Sequence, residues 1–258
     1  MAKQSAKPSK EEAEAEATET KPEVYEHTND GGSKAVAAYG TGKPGEFQGD
    51  YDLGDFQLPR INLVQAMGDL STDFKPGSIV FCKEEVLANA HPKEDTEYGE
   101  TLEIVVVGAL KQFQENLPYS PDEIPETVNS LREVEARGGS LEWGDDGTKP
   151  GWVPIITYTL LVKANSEEIG EGFNYEAPDG SRWEMAFYTV KSTSYTRFAK
   201  PVNRKKATLK RVGKDIYHVK WGLTARKEAV GKFKVFVPKV VLLEELEGEM
   251  LDFIKKCM

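Results

Sequence analysis

From Thr101 to Leu110 the chain reads TLEIVVVGAL, a β-branched and nearly apolar run. It predicts a strand covered on both faces. WVPIITYTLLVKA (152–164) alternates instead, with Ile156, Tyr158, Leu160 and Val162 on one face and Thr157, Thr159 and Lys163 on the other. RWEMAFYTVK (182–191) alternates too, placing Trp183, Met185 and Phe187 together, and the PDG before it is a turn signal. SIVFC (78–82) follows the turn KPG, and IYHVKWGL (216–223) and KFKVFVPKV (232–240) complete a set of about six strands. In KFKVFV the pattern puts Lys232, Lys234 and Phe236 on one face and Phe233, Val235 and Val237 on the other, the second set being the expected core.

Helical signals interrupt and follow the strands. After Lys191, one of Ser192, Thr193 and Ser194 is expected to cap a helix that Pro201 ends or kinks, with a second piece over NRKKATLKRVG stopped by Gly213. Leu242, Leu246, Met250 and Phe253 recur at helical spacing, so residues 241–258 are read as an amphipathic C-terminal helix. Between Leu110 and Trp152 lies an acidic insert (111–151) with a short helix expected in PETVNSLREVEARGG. Residues 1–57 are poor in aliphatic side chains and are read as an acidic disordered tail ahead of a domain at 58–240. Short strands, turns and one helical insertion predict a mainly β fold, an OB-like small β-barrel with an inserted helical segment and a C-terminal helix.

Charge changes this picture. The chain carries a formal net charge of −10, yet residues 191–239 hold 15 Lys/Arg against two Asp/Glu. A localised positive field matters more to a polyanion than the net value. Single strands are gripped by cations that displace phosphate counterions and by aromatic faces that stack on bases. The block supplies both. The candidate nucleic-acid-binding residues are Lys191, Tyr195, Arg197, Phe198, Lys200, Arg204, Lys205, Lys206, Lys210, Arg211, Lys220, Lys232, Lys234 and Phe236. Tyr195, Phe198 and Phe236 are the expected stacking platforms, whereas Tyr217, Trp221 and Phe233 are expected in the core and His218 on a strand surface. The competing reading of any Lys/Arg run is solvated surface.

Other chemistries find little support. Two cysteines, Cys82 and Cys257, are too few for a disulfide framework and are read as reduced thiols, Cys257 as an exposed one. Three separated histidines complete no zinc spacing. GTGKPG (40–45) lacks Walker spacing, and neither a G-x-S-x-G nor an H-E-x-x-H motif occurs. HPKEDTEYGE (91–100) and the GDDG holding Asp145 and Asp146 are read as loop and turn ahead of metal sites. No catalytic residue, metal ligand or cofactor is therefore expected. No apolar run approaches the ~18 residues of a membrane span, and the N-terminal stretch lacks the apolar core of a signal peptide.

The succession LPRINLVQAMGDLSTDFKPGSIVF, LEIVVVGAL, WEMAFYTVKSTSYTRFAK and YHVKWGLTARKEAVGKFKVFVPKV resembles bacteriophage-encoded single-stranded DNA-binding proteins and their relatives. The similarity covers roughly residues 58–240. It implies an OB-fold, non-enzymatic strand binder of phage DNA replication and recombination, with Lys191, Ser192 and Tyr195 in the shared segment. The insert 111–151 departs from that pattern, and FIKKCM does not match the acidic, Phe-terminated tip of bacterial single-strand binders.

The resulting expectation is a sequence-independent binder of single-stranded DNA, or of RNA by the same chemistry. It would work in the cytoplasm of a phage-infected bacterial host with replication or recombination proteins, or with further copies of itself, and without a membrane. The alternatives are a virion structural or assembly protein docking an acidic partner, and a metal-dependent nuclease using acids near Asp95 or Asp145.

Overall fold

The computed structural model describes residues 59–90, 99–117, 123–231 and 233–258. The expected tail 1–57, most of the acidic loop 91–100 and Lys232 lie outside them. Antiparallel strands dominate. β1 (Ile61–Leu63), β2 (Ile79–Phe81) and β3 (Glu85–Ala88) form a small sheet in that order. β4 (Leu102–Glu115), β6 (Trp152–Lys163), β8 (Arg182–Lys191), β9 (Val219–Val230) and β10 (Phe233–Glu245) form the large one. Its order is β10-β9-β4-β6-β8-β7, with β7 (Tyr175–Glu176) at one edge and β5 (Thr127–Val128) beside β4. The run β9-β4-β6-β8 is a Greek key, in which the fourth strand returns to lie beside the first.

Side-chain alternation builds two cores from one sheet. Ile104, Leu160, Val162, Ala186 and Tyr188 join one buried cluster, which Ile61, Ile79 and Leu87 of the small sheet complete. Val105, Leu161, Trp183 and Met185 join a second cluster with Ile254 and Cys257. Strand β4 is thus covered on both faces over Leu102–Val106, whereas Ala109 and Leu110 at the end of its apolar run are exposed, and the expected faces of β6 and β8 hold for Ile156, Tyr158, Trp183 and Met185.

No hydrogen-bonded ladder joins β8 to β10, so the described strands form no closed barrel. The opening segment spans the interval. Phe187 donates its backbone N–H to the carbonyl of Pro59 at 2.8 Å. The Gln65 amide donates to the carbonyl of Phe236 at 2.9 Å, and its oxygen accepts the Phe236 N–H at 3.1 Å. Gly77 sits under the Phe236 ring with φ 90°, and a Cβ there would lie 2.5 Å from ring carbons. Only glycine meets both demands.

The helical segment departs from expectation. Its first residue, Ser192, has φ 50°, the cap position is Lys191, and no side chain caps it. A helical turn Ser192–Ser194 leads into a π-helical turn Tyr195–Ala199 and then α3 (Lys200–Lys210), which runs through Pro201. Proline lacks an N–H and crowds the carbonyl four residues back. The π turn, in which the Lys200 N–H reaches the Tyr195 carbonyl, widens the backbone just ahead of it.

The insert folds onto its own small core of Phe113, Val128, Val134 and Trp152. Its expected helix is α1 (Leu131–Ala136). The Ser130 hydroxyl accepts the Glu133 N–H and donates to the Glu133 carboxylate, a start the S-x-x-E spacing encodes. A further short helix, α2 (Glu167–Glu171), precedes β7. GDDG is a turn, with Asp146 accepting the Thr148 N–H at 2.9 Å. The C-terminal helix, α4 (Gly248–Cys257), begins later than predicted because residues 241–245 continue β10. Cys257 is buried, not exposed, and burial followed by the Glu184 charge pushes its thiol up to about 11. Among the described residues, no helix is long and apolar enough to cross a membrane.

Candidate nucleic-acid interface

α3 places the cationic residues. From Lys191 to Lys214 the chain holds no acid. Val202 and Leu209 turn into the core, which leaves the basic residues on the outer faces. Thr196, Lys200, Arg204 and Thr208 recur every fourth residue and therefore line one side of the helix. With Pro201 and Lys205 they form one wall of a groove of about 460 Å³, whose floor is Trp221 and Leu242. Leu242 is 44% exposed, while Trp221 is buried and its indole N–H has no partner among the described residues. The groove thus combines an apolar floor with a cationic wall, within the size range of ligand clefts.

Neutralisation sorts the cations. Lys205 and Lys214 donate to Glu245 at 2.9 and 2.8 Å. The hydrogen bonds from Lys214 and Lys205 hold the Glu245 carboxyl down at about 2. Arg197 pairs with Glu228 at 2.7 Å, and Arg226 shares that carboxylate. Burial raises the Glu228 pKa, but Arg226 and Arg197 together outweigh it and lower it. Lys220 alternates away from Trp221 and joins a ladder across the opposite face with Glu103, Glu244 and Lys163. Burial works against its charge, and hydrogen bonds to Glu244 and Glu103 restore it, leaving the pKa raised. Lys191 donates to Gln114 at 3.3 Å. Lys200, Arg204, Lys206, Lys210 and Arg211 make no ion pair with any described residue. All five are exposed, on α3 and at its C-terminal end.

The aromatic expectations need correction. Phe198 is 0% exposed, with Tyr158 and Tyr188 edge-on at 5.0 and 5.1 Å. It anchors the helix and offers no face to a base. Phe236 is 8% exposed, packed on Gly77 beneath the ammonium of Lys227 at 5.8 Å. Tyr195 is half-buried against the same core as Phe198. Phe233, expected inside, is 67% exposed. It is the first residue of β10, directly after the hairpin turn. Lys234 is exposed on the same hairpin arm. Of the fourteen candidates, the groove gathers Lys200, Arg204 and Lys205. Lys206 lies on the other flank of α3, Lys210 is the last residue of the helix and Arg211 caps its end. Leu242 escaped the sequence reading because Leu242 and Leu246 mimic helical spacing. Its strand alternation with Val240 is the signal that finds it.

No family model matches this chain, and neither a curated protein nor a solved structure does so.

Proposed function

We propose that the protein binds single-stranded nucleic acid, with little demand on sequence and without catalysis. The observation that carries this reading is the outer surface of α3, where five cations have no acidic partner among the described residues, beside an apolar-floored groove. Lys200 and Arg204 hold phosphates, and the partly exposed Leu242 on the groove floor gives a base an apolar surface to rest on. Phe233 at the hairpin tip supplies an exposed ring. An OB-type ancestry is part of the proposal. Five long antiparallel strands with a helix between the third and fourth support it, as does a Greek key whose open interval is spanned by the Pro59–Gln65 segment. The resemblance to phage single-strand binders points the same way and suggests work in DNA replication or recombination, in a bacterial cytoplasm.

The test is a fluorescence-anisotropy titration of the full chain with labelled single-stranded and duplex oligonucleotides at two salt concentrations. Tighter binding of the single strand, weakened by salt, supports the proposal. Indifference to both oligonucleotides removes it and favours an acidic protein partner for the same cations.

A further inference from the structure

The flank of α3 opposite the groove holds a second recess of about 150 Å³, bounded by β4, α3 and the 3-10 turn Ile216–His218. Three observations single it out. β4 pairs with β9 only as far as Val105, and beyond that point the 3-10 turn lies alongside without a backbone hydrogen bond to it. The register between β4 and β6 also skips Val107, a bulge at the wall of the recess. Bulges re-aim side chains and free backbone groups at sheet margins, often beside functional sites. Tyr158, which forms part of the wall, is 1% exposed, and its hydroxyl has no hydrogen-bond partner among the described residues. A buried donor without an acceptor is costly and calls for a physical reason.

The size and the rim specify the ligand. A recess of about 150 Å³ is the size of one six-membered ring, and its lining mixes Val106, Val202 and Ile216 with Asn203, Lys206 and Asp215. Asn203 and Lys206 stand at the rim one helical turn apart, and neither makes a hydrogen bond or ion pair with another described residue. Lys210 follows Lys206 by four residues on the same side of α3. We infer that this recess takes a single pyrimidine base turned out of a bound strand, its carbonyl accepting from the Tyr158 hydroxyl and its phosphates lying along Lys206 and Lys210. The inference rests on the single-strand reading and adds a base preference to it. A six-membered ring fits the volume and a purine exceeds it.

The experiment measures anisotropy of the full chain with oligo-dT, oligo-dA and an abasic oligomer of the same length. The parent should prefer dT over dA by about tenfold, the worth of one hydrogen bond with partial stacking. Tyr158→Phe should weaken dT binding roughly five-fold. It should leave the abasic oligomer's affinity unchanged, and it should not lower the melting temperature, because it removes a group that has no partner. Ala109→Phe, which fills the recess from its exposed rim, should erase the dT preference by a different route. Equal dT and dA affinities in the parent, or a Tyr158→Phe loss shared by all three oligomers, overturn the inference while leaving the strand-binding proposal standing. Absence of binding to any oligomer overturns both.

Discussion

Replacing Arg204, Lys206 and Lys210 together by alanine isolates the electrostatic part of the proposal. None of the three is ion-paired with a described residue, and alanine has the highest helix propensity, so α3 should persist. If the five unpaired cations of α3 and its C-terminal end each neutralise one phosphate, the single-strand salt slope is about −0.7 per contact, or roughly −3.5 in all. Between 50 and 200 mM salt the parent then loses on the order of 130-fold in affinity, whereas the triple variant, left with about two contacts, loses only about 7-fold. Anisotropy titrations at four or five salt concentrations read this slope directly, and circular dichroism checks that the variant is folded. Lys220→Ala is the control. That cation is already balanced by Glu103 and Glu244 on the opposite face, so its removal should leave the slope alone. A triple variant with the parental slope, or a Lys220→Ala variant that flattens it as much, refutes the assignment of the footprint to α3.

Phe198→Ala should cost about 3–5 kcal/mol, measured as a shift in the urea midpoint, and an unchanged midpoint with weakened DNA binding would return Phe198 to the surface. Glu245, ordinarily near 4.5, is held at about 2, so its pairs contribute stability that is present above 4.5 and lost as pH falls through about 2. The melting temperature of Glu245→Gln should therefore lie below the parent's near neutral pH and converge on it across that acidic window. A constant gap would mean the pairs do not form. Ser130→Ala should weaken α1 by about 1 kcal/mol, seen as faster amide exchange at Val134 with β4 and β6 unaffected. Uniformly faster exchange would show that the insert is not a separate packing unit.

The strands with period-two patterns were legible because burial on one face leaves its mark on alternate residues. β4 was legible for the opposite reason, since burial on both faces removes polar residues altogether. The candidate site was legible as charge and illegible as geometry. Phe198 sits among basic residues and reads as a surface ring, yet the π turn before Pro201 swings it inward between two tyrosines. Phe236 reads as the exposed partner of two lysines, but its cover comes from Gly77, a glycine far away in the chain. Pairing among charges is equally hidden. Arg197, Lys205 and Lys220 belong to the same basic block, and each is answered by a glutamate that only the fold brings near.

The Gln65 amide has a consequence beyond stitching the chain's opening to its last strand. By satisfying both backbone groups of Phe236, it imitates one residue of a neighbouring strand on the outermost member of the sheet. An uncovered lateral strand rich in valine and leucine invites a second molecule to zip alongside. Gln65 meets only the fourth of the thirteen residues of β10, so it closes that margin near the strand's start and leaves the nine residues Val237–Glu245 as the stretch along which a second copy could still align.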